Sequence, residues 1–380
     1  MPDQVYSNAR IILADEVVHG SIRIADGKIA DIATGATALS SALDMDGDYL
    51  MPGMIELHTD NLERHLMPRP KSYWPVKAAV LNHDREITAA GITTVYDAIS
   101  VGHLDAGARA EDTVRESAGA IRQLTEGASL KADHYLHWRC EVSGDKLMDT
   151  LPDLASNPLT GLISVMDHTP GQRQFVSIDA YCVYYQGKYG LGDEEMKAFM
   201  STRLAAQERN SAPNREAVVR LAHDRNIPLA SHDDATRAHV EEAIDNDIVV
   251  AEFPTTVEAA EASHDNGLAV LMGAPNVVRG KSHSGNVSAR ELASAGVLDI
   301  LSSDYVPFSL LYGATVLASE CESITLPQAI ATVTRNPAGK VGLDDRGEIA
   351  IGKRADLVRF RVDEDCPHVV EVWREGRRIA

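Results

Sequence analysis

Aromatic side chains make up only 5% of this 380-residue chain, with five phenylalanines and three tryptophans, and there are only four cysteines. Cys140, Cys182, Cys321 and Cys366 are scattered, without a C-x-x-C pair. That spacing speaks against a cysteine-rich metal module or a disulfide framework and fits a reducing, cytoplasmic setting. No apolar run approaches the roughly 18–20 residues that cross a bilayer. The start, MPDQVYSNARIILADEVV, has no basic segment followed by an apolar one, so neither a signal peptide nor a membrane partner is expected. Cations are also scarce: 36 Lys and Arg face 56 Asp and Glu, for a net charge of −20. Such a surface repels nucleic acid and anionic membranes. A local cluster of arginines or metal ions can still hold a small anion. Against these shortages stand 14 histidines.

Residues 1–49 read as short strands turned at Gly and Asp (ARIILADEVV, then GSIRIADGKIADIATG), and residues 340–380 continue in the same style (RGEIAIGKRADLVRFRVD, then HVVEVWREGRRI). The two ends are expected to form one composite β-sandwich. Between them lie eight apolar runs, at 50–57, 92–99, 134–142, 161–168, 227–233, 248–254, 268–275 and 298–304, most separated by helix-like stretches. Runs without strict alternation indicate strands buried on both faces of a parallel sheet. Eight of them indicate an α/β fold, a closed (β/α)8 TIM-type barrel over 50–339. An open doubly wound sheet lacks its Gly-rich turn here. Residues from about 175 to 220 read as an insertion.

The polar residues at the ends of these runs carry the chemistry. They are His58-Thr59-Asp60, Glu141, Asp167-His168, His232-Asp233-Asp234 and Ser303-Asp304. The carboxyl ends of barrel strands meet at the active-site mouth, and imidazole nitrogen with carboxylate oxygen suits Zn²⁺, Mn²⁺ or Fe²⁺. We expect two divalent ions, zinc first. His58 and Asp60 face one, His168 and His232 hold the other, and Glu141 bridges them. Asp304 ligates the first and takes a proton from a water whose pKa the metals lower. Singly, each histidine reads more simply as a hydrogen-bonded structural residue, and each strand-end acid as a helix cap. Their joint occurrence at five strand ends favours the metal site.

The segment Pro52-Gly53-Met54-Ile55-Glu56-Leu57-His58-Thr59-Asp60 and the later Asn336-Pro337-Ala338 followed by Gly347-Glu348-Ile349-Ala350-Ile351-Gly352-Lys353-Arg354-Ala355-Asp356-Leu357-Val358 resemble the two hallmarks of the amidohydrolase superfamily. Asp60 stands where that pattern has a second histidine. The resemblance implies histidine ligands on strands five and six, whereas the runs count them on four and five; a short strand is therefore expected to be missing from the count. The stretches ELHTDNLERHLMPRP, SVMDHTPGQRQF, ASHDDAT, AEFPTT, LMGAPNVVRGKSHSGN and DILSSDY look like the diphosphatase branch of phosphonate catabolism (the carbon–phosphorus lyase pathway). Its members hydrolyse α-D-ribose 1-methylphosphonate 5-triphosphate to the 5-phosphate and diphosphate. For such a substrate, the five-strand ligand set together with cationic loops leads us to expect attack of metal-activated water on the α-phosphorus.

A triphosphate needs local cations. Arg64 and Arg69 after the first barrel run, Arg173 after His168, Lys188 in the insertion, and Arg279 with Lys281 after the LMGAP run are the candidates. Arginine suits them because its planar fork makes paired charge-assisted bonds to phosphate. His137, two turns of the strand pleat before Glu141, is expected to fill the barrel. The competing readings are an amide or cyclic-imide hydrolase on the same scaffold and a non-enzymatic scaffold. A homodimer is expected on base rates alone.

Overall fold

The computed structural model describes residues 3–102, 108–173, 178–280 and 286–380. From the N-terminus come β1 (Gln4–Ile12), β2 (Val17–Ala25), β3 (Lys28–Thr34), β4 (Leu43–Asp44) and β5 (Tyr49–Pro52). The barrel strands are next: β6 (Met54–Thr59), β7 (Ile92–Val101), β8 (Asp133–Glu141), β9 (Thr160–Met166), β10 (Leu229–His232), β11 (Val250–Glu252), β12 (Ala269–Gly273) and β13 (Ile300–Ser302). The chain returns to the first sheet with β14 (Leu357–Asp363), β15 (Cys366–Arg374) and β16 (Arg377–Arg378).

The terminal strands form one sheet in the order β16-β15-β14-β5-β1-β2-β3, with β4 beside β1. Tyr6, Ile11, Ile22, Ile24, Ile29, Leu50, Leu357 and Trp373 make its buried core. The second sheet is parallel and runs from β6 to β13 in chain order, which with its helices is the (β/α)8 barrel. Every residue of β6, β10, β11, β12 and β13 is buried, which is why these runs lack alternation. All eight apolar runs become strands, and among the described residues no ninth joins this sheet. Among the described residues the expected missing strand is not found: His168 follows the fourth barrel strand and His232 ends the fifth.

Helices link the strands: α1 (Asn61–Leu66) and α2 (Val76–Ala89) after β6, α3 (Ala108–Glu126) after β7, and α4 (Leu147–Leu154) after β8. The long connection after β9 holds α5 (Ile178–Tyr189) and α6 (Asp193–Asp224), the latter running past the expected end of the insertion into the helix before β10. Next come α7 (Arg237–Asp245), α8 (Val257–Asp265) and α9 (Ala274–Arg279). The helices α7 and α8 start alike, each with a threonine, Thr236 or Thr256, whose side chain accepts the N–H three residues on.

By packing, the chain divides into two compact units. The first comprises Met1–Asp97, Ala120–Tyr135 and Met272–Ala380, and the second Ala98–Gly119 and Leu136–Leu271. In the first, Gly53 separates β5 from β6: its N–H donates to Asp356 O at 2.7 Å. A Cβ there would stand 2.2 Å from Thr93 Oγ1, so the backbone approach requires glycine. The Arg354-Ala355-Asp356 stretch has an electrostatic purpose. Asp133, at the start of β8, pairs with Arg346 at 2.7 Å, Arg354 at 2.7 Å and Arg374 at 3.0 Å. Arg354 also meets Asp356 at 2.6 Å, and Asp356 accepts the Glu375 N–H at 2.8 Å. Asp133→Ala would leave three guanidinium groups without their shared anion. It should cost about 2–4 kcal/mol of stability, read as a lowered Tm by calorimetry; an unchanged Tm would show the arginines satisfied without it.

Candidate metal centre

In the second unit β8 ends on Glu141, fully buried. Its Oε2 lies 2.8 Å from Nδ1 of His168, its two oxygens accept the His168 N–H at 3.2 and 3.3 Å, and Ser143 Oγ donates to Oε1 at 2.7 Å. The turn that aims Glu141 is clamped by α6. Asn214 Nδ2 donates to the carbonyls of Val142 and Gly144, and Asn210 Nδ2 to that of Ser143. Ser211 of the same helix donates to Asp167 at 3.0 Å. Gly144 is needed because a Cβ would lie 1.9 Å from Gly102 O.

His232 is held in the same manner. Its Nδ1 lies 3.2 Å from Oε2 of Glu252, the last residue of β11, and Ser164 Oγ donates to that oxygen at 2.7 Å. His137 hydrogen-bonds Ser164 and lies 3.9 Å from Glu252 Oε1, so it braces Glu252 rather than merely filling space. The rings of His168 and His232 meet edge to face, with centroids 5.4 Å apart. Asp233 Oδ2 lies 3.5 Å from Nε2 of each. Burial depresses both imidazoles. For His168 the carboxylates of Asp233 and Glu141 outweigh it and raise the pKa to about 9, whereas for His232 burial prevails and lowers it.

The other expected ligands lie in the first unit. His58 is buried, and its Nε2 lies 4.0 Å from Oδ1 of the partly exposed Asp60. Asp304 O accepts the Asp60 N–H at 2.8 Å and Thr59 Oγ1 at 3.0 Å. This links the ends of β6 and β13. Glu56 strengthens the link by accepting the N–H groups of His58 at 2.7 Å and Ser303 at 2.5 Å. Burial pushes its carboxyl up to about 7.

The basic candidates separate by environment. Arg173 is buried against Asp234 and against Glu242, the latter at 2.6 Å, and Arg215 of α6 reaches the same Glu242. Burial and the neighbouring Arg173 charge lower Arg215 to about 10. Arg64 is half exposed and paired with Glu86. Arg69 and Arg279 are exposed. Lys188 stands on α5, and Lys281 lies outside the described residues. Sequence reasoning did not single out Glu56, Asp233 or Glu252. Glu56 and Glu252 read as members of apolar runs, and Asp233 as one of two adjacent acids.

Residues 85–380 match the amidohydrolase family. Over 99% of its length the chain is 46% identical to the whole of the alpha-D-ribose 1-methylphosphonate 5-triphosphate diphosphatase of Escherichia coli (strain K12). The chain belongs to the amidohydrolase family. A dihydroorotase of Methanopyrus kandleri matches over 118 residues, 27% of each chain, at 28% identity. The fold is shared with N-acetylglucosamine-6-phosphate deacetylase from Pasteurella multocida, at a TM-score of 0.65 and 13% identity over 99% of both chains. Amidohydrolases of this kind are metal-dependent hydrolases. The donor set of the second unit suits a cation: each imidazole has its Nδ1 against a carboxylate, the arrangement that fixes the tautomer of a metal-ligating histidine.

Another histidine–carboxylate cluster is of a different kind. Asp97 of β7 gives Oδ1 to His83 Nε2 and Oδ2 to His134 Nδ1, both at 2.8 Å, and Asp84 Oδ1 lies 3.3 Å from His134 Nε2. Asn61 Nδ2 approaches His83 Nδ1 at 3.0 Å. Burial opposes charge on His134, but Asp97 and Asp84 overcome it and raise its pKa to about 9. The folded value exceeds the unfolded one of about 6.5. The charged ring therefore adds its full stability below pH 6.5 and loses it as pH rises through 9, on the order of 3 kcal/mol. Denaturant unfolding of the wild type should show that decline between about pH 6.5 and 9, and His134→Gln should flatten it; an equally steep decline in the variant would refute the assignment.

Proposed function

We propose that this chain is a metal-dependent diphosphatase cleaving α-D-ribose 1-methylphosphonate 5-triphosphate to the 5-phosphate and diphosphate. The observation that carries the reading is the 46% identity sustained over 99% of the chain with a bacterial enzyme of that name. The amide or cyclic-imide reading has less support: the dihydroorotase match spans 27% of the chain at 28% identity.

Barrel strands open their carboxyl ends on one face. On that basis His58, Asp60 and Asp304 are assigned to one divalent ion and His168 and His232 to the other. Glu141 sits against His168 Nδ1, which favours aligning that ligand over bridging. Zinc suits the nitrogen and oxygen donors, with manganese and iron as alternatives. When bound, such ions lower the pKa of water and neutralise phosphate charge. Asp304 would take the proton of the attacking water. Its backbone anchors the His58-Thr59-Asp60 tip, so acid and ligands keep a fixed register. The exposure of Arg69, Arg279 and Arg64 supports assigning them to hold the departing diphosphate. Arg173, already matched by Asp234 and Glu242, is better placed to stiffen the loop after His168.

Hydrolysis in ¹⁸O-water followed by phosphorus NMR should put the label in the sugar 5-phosphate. Label solely in diphosphate would mean attack at another phosphorus, and no cleavage would refute the reading. Arg279→Ala should raise KM about tenfold, the loss of one charge-assisted contact, with kcat within a few-fold. Arg173→Ala should instead lower stability by about 2–4 kcal/mol, because two carboxylates lose their buried cation. A raised KM without a change in Tm would return Arg173 to the substrate site.

A further inference from the structure

Asp233 is in an arrangement that hydrogen bonding does not explain. Its Oδ2 is buried and has no hydrogen-bond partner, and it lies 3.5 Å from Nε2 of His168 and 3.5 Å from Nε2 of His232. The imidazoles direct their other nitrogens at Glu141 and Glu252, at 2.8 and 3.2 Å. Each Nδ1–H donates to its carboxylate, so in the neutral form of either ring it is the Nε2 lone pair that faces Asp233. Two lone pairs and a carboxylate oxygen facing one another in a buried place repel. A cation reverses the sign of that interaction.

The spacing fits. Metal–ligand bonds of about 2.0–2.1 Å in a tetrahedral zinc site put neighbouring donor atoms about 3.3–3.4 Å apart. Both Asp233 edges are within a few tenths of an ångström of that length, and all three donor atoms lie within 4.8 Å of one another. The backbone is built to hold the carboxylate there. Asp233 has φ of 56°, the left-handed region, and its N–H donates to Glu252 O at 2.9 Å. The residue that carries the third donor is thus tied to the residue that orients His232.

We infer that Asp233 is a direct ligand of the ion held by His168 and His232, completing a three-donor His-His-Asp set. The inference rests on the metal-dependent reading but not on the identity of the substrate. A structural carboxylate whose task is to neutralise a protonated His168 is the competing explanation, and the two differ in what they do to metal affinity.

Asp233→Asn tests this, since asparagine shares aspartate's tolerance of left-handed backbone and keeps its volume. Metal-free wild type and variant would be titrated with Zn²⁺ against a chromogenic chelator, and with Co²⁺ followed by visible absorption. Circular dichroism and Tm of the metal-free proteins would confirm that both are folded. Wild type should bind two equivalents. In the variant one equivalent should weaken beyond the roughly 10–100-fold penalty of losing a partner that only orients a ligand, with a changed Co²⁺ spectrum. Two equivalents bound within about threefold of the wild-type affinity, whatever happens to Tm, would overturn the assignment. Should wild type bind metal tightly yet release no diphosphate from the triphosphate, the functional reading alone would fall, and the titration would still decide Asp233.

Discussion

Burying a carboxylate is expensive unless an N–H or O–H meets it, and the strand ends meet this constraint with imidazoles. Glu141 takes His168, Glu252 takes His232, and Asp97 takes both His83 and His134. The same pairing serves two purposes, according to how many oxygens are available. Asp97 divides its two oxygens between two rings, one each, and Asp84 closes the far side of His134, which leaves a locked ionic cluster. Asp233 sets one oxygen 3.5 Å from the Nε2 atoms of two rings, and that shared oxygen is what the proposed third ligand rests on.

Much of this was legible in the sequence because a parallel barrel separates its tasks in space. Apolar runs build the wall, and the residues just past the end of each run face the mouth. That rule picked out His58, Asp60, Glu141, His168, His232 and Asp304 as candidate ligands. The same rule hid Glu56 and Glu252. Each lies within an apolar run and is buried, and composition cannot distinguish an acid that braces a ligand from an interruption of the strand. The adjacent acids Asp233 and Asp234 show a second limit. They point to different tasks, one to the histidines and the other to Arg173 and Ser231; a left-handed backbone at Asp233 divides them. The strand count from the runs held over the count implied by the family pattern, since β11 and β13 are only three residues long yet complete the eight.

Charge illustrates what sequence leaves out. A net charge of −20 makes every arginine near the mouth look like a phosphate ligand. The partners of Arg173 sit 61 and 69 residues further along the chain, brought to it by the fold. Arg69 and Arg279, with exposed side chains, keep the hydration that a phosphate can displace. The distinction is one of desolvation already suffered: a guanidinium buried between carboxylates has its charge compensated, and an anion arriving there would meet Asp234 and Glu242 as well.

The turns after the strands bear a cost that regular structure avoids. Arg173, Asp233, Phe253 and Asp304 all have positive φ, at 40°, 56°, 53° and 55°, which for residues other than glycine costs on the order of 1–2 kcal/mol each. Phe253 is the clearest case, because a bulky side chain seldom tolerates that region. It is held by its N–H to Leu271 O at 2.8 Å, as Asp233 is held to Glu252 O at 2.9 Å. The ends of β10 and β11 are thus each tied to the next strand of the barrel. The Phe253 ring then lies 5.3 Å from that of His232 and meets it edge to face. Glycine would relieve the backbone at any of these positions but would remove the very side chain the turn aims. The strain is therefore the consequence of placing an arginine, two acids and an aromatic ring, rather than glycines, in the turns that follow the strands.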